Sequence, residues 1–345
     1  MTIQRPVHLV GSVPLADAET VFREVGAHLG TVAKRYPDGE TGVRLGWLRW
    51  QRPSFDNNPA FEIDPAATNI DKYKDNLDRR NYRIKPGTDP KTIEYQSLGY
   101  ASEAAKSYAV FAKLKKAGAV PASARFQVSL PTALAIVSGF VVVADRASAE
   151  PAMERTLARE LAEIGKTIPA NELTVQWDVC LELLGYDGGP KLHLEDILPE
   201  SIERIARQIA MVPAGAEVGI HLCYGDPGHK HVVEPKDSTS MVTFANAIVE
   251  KSPRPIAYIH MPILRGWDED KYFAPLKGLK VPTGTEIFLG LVHMTDGMAG
   301  AKKRLALAQK FVKNFGVATE CGLGRREPST IAPLLDLHRE ISTVA

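Results

Sequence analysis

The sequence predicts an α/β protein, a (β/α)8 TIM barrel with a long inserted excursion after its first strand. Three observations predict it. The chain has 345 residues, a length at which an α/β barrel is an ordinary solution. Short apolar runs alternate with longer amphipathic stretches, as parallel strand–helix units require. Polar residues capable of chemistry directly follow several of the apolar runs, where a parallel barrel collects its active site.

The first apolar run is VHLV at 7–10. Residues 36–97 then break the pattern, with Pro, Asn, Asp, Lys and Arg abundant and only short apolar groups between them. They read as the excursion, partly helical and lying over one end of the barrel. Further strands are expected at 125–129 (RFQVS), 173–178 (LTVQWD), 217–221 (EVGIH), 256–260 (IAYIH), 287–292 (IFLGLV) and 317–319 (VAT). Helices are expected over 101–117, 147–166, 198–211, 240–251, 299–315 and 331–342. Met153, Leu157, Leu161 and Ile164, for example, fall on one face at helical spacing. Seven or eight such units favour a closed barrel over an open sheet. With no repeat, low-complexity tract or linker in view, one domain over 1–345 is expected.

Composition narrows the function. The net charge is +1, from 42 basic and 41 acidic residues, which leaves no electrostatic footprint for nucleic acid or an anionic membrane. The longest apolar run, 133–144, falls short of the ~18 residues of a membrane span. The N-terminus lacks a signal-peptide layout, so a cytoplasmic location is expected. Cys180, Cys223 and Cys321 are too far apart for a disulfide framework. In a reducing compartment, Cys beside His suggests metal binding or catalysis.

The candidate site is the set of polar residues at predicted strand ends: Ser12, Asp178, His221, Cys223, His260, His293 and Cys321. Zinc takes thiolate and imidazole, and a catalytic site leaves one position open. His221 and Cys223 are two apart, so in extended chain both side chains face one way. Cys321 would complete the set from a distant strand end. Singly, each has a plain structural reading, a buried Cys being a small hydrophobe and a strand-end His being hydrogen-bonded. The combination carries the argument. GHKHVV at 228–233 adds His229 and His231, read as a solvated loop in preference to a second metal site. Trp47 and Trp50 either line a substrate mouth or staple the excursion to the barrel.

These segments resemble the C-terminal barrel of cobalamin-independent methionine synthase and the zinc thiol-alkyltransferases built on it. HLVGSVPL (8–15) is similar to that family's IGS-x-P turn, PDGETG (37–42) to its G-E-P-E-R segment, and VQWDVCLE (175–182) to its Q-x-D-E-P strand. IHLCYGD (220–226) resembles its H-x-C-Y-S zinc motif, LVHMTDG (291–297) its D-I-H-S-P turn, and ATECGLGRR (318–326) its P-D-C-G-L-K-x-R zinc motif. The resemblance implies Zn2+ held by His221, Cys223 and Cys321. It implies that Ser12, through its backbone, and the carboxylates of Glu40 and Asp178 bind the amino-acid end of a thiol such as homocysteine. His293 would be the acid–base histidine, with Asp178 also in the catalytic set. A thiol of pKa ~8.5 is mostly protonated at neutral pH, and coordination to zinc deprotonates it. The thiolate would then attack an alkyl donor.

Three departures from the family pattern stand out. His260 occupies the place of the family's glutamate ligand, so it would be a fourth ligand or stand behind the ligands, with Glu286 or Asp226 as other carboxylates for that role. The stretch LPTALAIVSGF (130–140) has Val137 near the place of the folate-stacking tryptophan and no aromatic before Phe140. The additional N-terminal barrel of full-length synthases is not represented in the sequence. These departures lower the case for methyltetrahydrofolate.

The expected function is therefore a zinc-dependent thiol methyl- or alkyltransferase resembling core-type methionine synthase, a 5-methyltetrahydropteroyltriglutamate–homocysteine S-methyltransferase-like enzyme. Rival readings are a zinc- and thiol-dependent lyase or ether-cleaving, demethylating enzyme using a glutathione-like thiol, a uroporphyrinogen-decarboxylase-like protein binding a tetrapyrrole or corrinoid partner, and a non-enzymatic zinc protein. Expected partners are a small thiol and an alkyl donor. No nucleic acid or membrane is expected, and a homodimer is left open.

Overall fold

A computed structural model of the chain describes residues 4–66, 78, 80–227 and 230–344. Among them are nine strands: β1 Arg35–Pro37, β2 Phe61–Ile63, β3 Tyr82–Ile84, β4 Arg125–Pro131, β5 Leu173–Val179, β6 Glu217–Leu222, β7 Tyr258–Pro262, β8 Glu286–Val292 and β9 Gly316–Thr319. Strands β2 and β3 form a separate antiparallel pair. The other seven make one parallel sheet in the order β1-β4-β5-β6-β7-β8-β9. Val7 bridges in parallel both to Ala33, just before β1, and to Val317 of β9. The two sheet edges therefore come round to one residue, and the sheet is curled.

The expected eight-stranded ring is found in part: seven strands form the curled sheet, and the segment expected as an eighth makes only isolated bridges among the described residues. The run at 7–10 touches each edge for a single rung: Val7 N–H donates to Val32 O at 2.9 Å and His8 N–H to Val317 O at 3.0 Å. Pro6 has no N–H to extend the ladder backward, and beyond it the chain moves on to a bridge between Ser12 and Gly39. Strand β1 is a further correction. It lies at the start of the stretch read as excursion, so the excursion leaves from β1, not from the first apolar run. Its three residues end at a proline, too short for a periodic signal.

The remaining sheet strands lie where periodicity puts them, as do the helices Tyr100–Lys116, Val143–Thr167, Ile197–Met211, Thr239–Lys251 and Ile331–Ser342, whereas the helix expected over 299–315 is Gly297–Ala308 and gives way to turns beyond it. Helix Ala133–Phe140 has no polar face to reveal it, because all its residues but Gly139 are buried. Thr132 caps it, Oγ1 accepting from Ala135 N–H at 3.0 Å. In the excursion, Phe55 packs its ring on Phe61, Tyr82 and Tyr95, and on Phe140 at the end of helix Ala133–Phe140. No helix of the described residues is long and apolar enough to cross a membrane.

The interior below the C-terminal rim is polar and tightly bonded. Tyr258 OH donates to Gln176 Oε1 at 2.9 Å, and His8 Nε2 lies 3.0 Å from the same oxygen. Gln176 Nε2 donates to Val10 O at 2.7 Å and to Asp178 Oδ1 at 2.9 Å. Gly219 makes room for the tyrosine, since a Cβ there would sit 2.0 Å from Tyr258 Cζ. This layer ties the first segment of the chain to β5 and orients Asp178 above it.

Candidate metal centre and adjoining cleft

In a parallel sheet all carboxyl ends share one rim. Register then decides which side chains meet. Asp178, His221 and His260 are Cα partners in one row across β5, β6 and β7, so their side chains leave the same face at one height. Cys223 N–H donates to Val179 O at 3.1 Å, which keeps the chain extended beyond β6 and the thiol on the His221 side. Cys321 arrives from the loop after β9. That loop is clamped to Ser12: Leu323 N–H donates to Ser12 O at 2.7 Å and Gly324 N–H to Ser12 Oγ at 3.2 Å. The glycines of CGLG permit the approach, as a Cβ on Gly322 would stand 2.4 Å from Ser12 Oγ.

The result is a compact donor set. Cys223 Sγ lies 3.7 Å from Cys321 Sγ, and Cys321 Sγ lies 4.0 Å from His221 Nε2. All three ligand atoms fall within 4.8 Å of one another, and it is the one such group of three among the described residues. Two sulfurs each ~2.3 Å from a tetrahedral zinc are separated by about 3.8 Å, so the residues fit that ion.

Protonation follows from burial. A hydrogen bond with the Cys180 thiol, then burial, pushes the Cys223 thiol well up against an opposing contact from Cys321. The bond to Cys223 and burial do the same for Cys321. Burial pushes His221 well below the ordinary histidine value and His260 down to about 4. All three cysteines of the chain therefore gather here. His260 Nδ1 lies 2.7 Å from His221 Nδ1, and His260 Nε2 lies 2.9 Å from Thr319 O. Of the carboxylates weighed for this role, Asp226 pairs with Arg325 at 3.2 Å. Glu286 starts β8 at the opposite end of the sheet, bonded to Lys34 and Arg35. Arg325, in the GLGRR stretch, also places Nη2 3.7 Å from Cys321 Sγ.

Beside the donor set is a narrow cleft lined by Asp38, Glu40, Arg44, Trp47, Trp50 and Tyr100. Glu40 and Trp47 are the two non-glycine residues of positive φ among those described, at 45° and 58°, and such backbone strain tends to gather at functional sites. Trp47 Nε1 donates to Asp178 Oδ2 at 3.1 Å. Trp50 meets Tyr100 edge-on, centroids 4.8 Å apart. Both tryptophans thus wall the cleft. A Cβ on Gly11 would lie 2.9 Å from Glu40 Oε1, so the glycine lets this carboxylate sit against the first segment. Burial, then the charges of Asp178 and Asp38, push Glu40 well above the usual carboxylate range. Burial lifts Asp178 to about 7 against the donors Gln176 and Trp47.

His293 is buried at the end of β8, with Nε2 2.8 Å from Ile263 O and Nδ1 3.3 Å from Glu320 Oε2. Burial would raise Glu320, but His293 and then Arg326 outweigh it and hold it at about 2. Glu320 was not anticipated, although it immediately precedes Cys321 in VATEC. Val137 and Phe140, near the place of a folate-stacking ring, are fully buried. His229 lies outside the described residues. His231 is half-buried, its ring 6.3 Å from that of Tyr224.

A curled parallel α/β sheet with a cysteine–histidine cluster on its C-terminal rim is the class of protein that fold and site define. No protein-family model matches the sequence, and no curated protein matches it. By structure, the chain shares the fold of cobalamin-independent methionine synthases. A B12-independent methionine synthase from a Shewanella species, in complex with selenomethionine, aligns at TM-score 0.65 and 14% identity, covering 99% of this chain and 97% of that one. A Listeria monocytogenes protein provisionally assigned as a vitamin-B12-independent methionine synthase aligns at TM-score 0.57 and 13% identity, covering 98% of each.

Proposed function

We propose that the chain is a zinc-dependent thiol alkyltransferase, a methyltransferase in its narrowest form. One observation carries the reading: the ligand atoms of His221, Cys223 and Cys321 converge within 4.8 Å of one another beside a carboxylate-lined cleft. The fold shared with methionine synthases, one of them holding selenomethionine, supports it.

Zinc held by His221, Cys223 and Cys321 would supply a Lewis acid that makes an incoming thiol acidic at neutral pH. The chain's own residues do the rest. Burial holds both Glu40 and Asp178 against ionisation, reinforced at Glu40 by the charges of Asp178 and Asp38 and opposed there by Arg44. A cation between them reverses that balance, so together they hold the ammonium of an amino-acid thiol. Ser12 receives the carboxylate end through its backbone. Gln176 and Trp47 keep Asp178 oriented. Trp47 and Trp50 exclude water from the reacting atoms. His293, held between Ile263 O and Glu320, would protonate the leaving group after giving up one of those partners. His260 stays out of the ligand set, because both its nitrogens are engaged by protein. The buried Val137 and Phe140 favour a donor other than a flat pterin.

The test is product analysis. Zinc-loaded protein is incubated with homocysteine or glutathione and a panel of methyl donors, and S-methylated thiol is followed by mass spectrometry. Methylated product with either thiol supports the reading. Thioether or ether cleavage without methyl transfer would move the assignment to the lyase class.

A further inference from the structure

We infer that His260 is a positioning residue for His221, fixing which nitrogen of that ring carries the proton and leaving the other bare. The inference rests on the metal-centre reading above. His221 and His260 are Cα partners on adjacent parallel strands, and their ring centroids lie 4.8 Å apart. Three atoms set the direction of the chain of bonds. Thr319 O, 2.9 Å from His260 Nε2, can only accept. His260 Nε2 therefore carries the proton. His260 is fully buried and has no carboxylate within bonding distance among the described residues, so its ring is neutral and its Nδ1 is an acceptor. The Nδ1 atoms of the two rings are 2.7 Å apart and need one proton between them. That proton sits on His221 Nδ1.

The consequence falls on His221 Nε2. It keeps its lone pair, and it is the nitrogen that lies 4.0 Å from Cys321 Sγ. The bonds thus run from His221 through His260 to the carbonyl of Thr319, two residues before Cys321. Thr319 Oγ1 in turn donates to Cys321 O at 2.8 Å. One run of hydrogen bonds therefore joins β6, β7 and β9 and locks imidazole and thiol into mutual register. His260 is the middle of that run, not a ligand. The protein then supplies three ligands and leaves the fourth position to a substrate thiol.

Two measurements test this. Long-range 1H–15N NMR of the metal-free protein, with His221 assigned through His221→Gln, reports each ring's tautomer without any metal. The expected result is Nδ1–H on His221 and Nε2–H on His260, and Nε2–H on His221 overturns the inference. Competition with a chromogenic chelator then compares zinc affinity in wild type, His260→Leu and His260→Asn. The asparagine Oδ1 lies near the place of Nδ1 and keeps an acceptor. Loss of a bonding partner behind a ligating histidine typically costs 10- to 100-fold in affinity, so that loss is expected for leucine and only a few-fold change for asparagine. The absorption bands of the cobalt-substituted asparagine variant should match those of wild type. If asparagine loses as much affinity as leucine and the cobalt bands shift, His260 is a ligand and the inference fails. If neither variant changes affinity, it fails as well. Where leucine prevents folding, the asparagine variant and the tautomers decide. Wild type that binds no zinc would instead remove the metal-centre reading and leave the tautomer result standing.

Discussion

The sulfurs of Cys223 and Cys321 lie 3.7 Å apart although 98 residues separate them in the chain. The spacing is close to the edge of a zinc-centred tetrahedron. It is produced by two unrelated devices: an extended residue bonded to the end of β5, and a glycine-rich loop clamped on Ser12.

The first prediction concerns those sulfurs. Cys321→Ser should lose most bound zinc and all alkyl transfer. Cys180→Ser should keep both, because Cys180 touches Cys223 but lies outside the donor set. Metal per chain by plasma emission spectrometry checks it, and unchanged zinc in Cys321→Ser would show the ligand assignment to be wrong.

Metal uptake should be steeply pH-dependent. Both thiols are held well above the ordinary value, so near neutral pH each must give up a proton when a metal binds. Affinity should then rise on the order of 100-fold per pH unit while both stay protonated in the free protein. His221, neutral already, adds nothing in this range. Calorimetry in buffers of different ionisation enthalpy should find close to two protons released. A value near zero would mean that the thiols are not the ligands.

Glu40→Gln should weaken binding of an amino-acid thiol by about 10- to 100-fold, the worth of a hydrogen bond to a charged group, without changing zinc content. The same substitution should leave binding of 3-mercaptopropionate, which lacks the ammonium group, nearly unchanged. Equal losses for both thiols would mean that Glu40 acts on the fold and not on the ammonium.

Glu182, behind the rim, offers a clean stability prediction. Burial lifts its pKa from 4.5 to about 7, against a hydrogen bond from Thr132, and its Oε2 has no partner among the described residues. Between those two values the folded state keeps a proton that the unfolded state has lost, so stability falls as pH rises from about 4.5 to about 7. Glutamine keeps the acceptor for Thr132 and removes the titration. Glu182→Gln should therefore be more stable than wild type at pH 8, by on the order of 2–3 kcal/mol. The gain should shrink toward pH 5. Thermal melts at both pH values check this, and a variant less stable at pH 8 contradicts it.

Much of this site was legible as pattern. His221 and Cys223 stand two apart at the end of an apolar strand, and Cys321 opens a glycine-rich loop after another. Strand alternation alone points such residues at one rim. Strand β1 was not legible, because three residues ending in proline carry no period. Helix Ala133–Phe140 was hidden because burial on every side erases the polar stripe that marks a helix. The bond from Trp47 to Asp178 joins the excursion to β5 across 131 residues, and no local signal encodes it. His260 shows the limit most clearly. Its place at a strand end was readable. The partners of its two nitrogens depend on the register of β6 with β7 and on one carbonyl of β9, and both are properties of the assembled sheet.

The central claim is that His221, Cys223 and Cys321 hold one metal ion with a position open to a thiol. The most direct measurement is the absorption spectrum of the cobalt-substituted protein during titration with homocysteine, glutathione and other small thiols. The claim predicts one cobalt per chain, thiolate-to-cobalt charge transfer from the two cysteines, and a further increment that saturates with one of the added thiols. A protein that retains no cobalt, or whose spectrum no thiol alters, would contradict it.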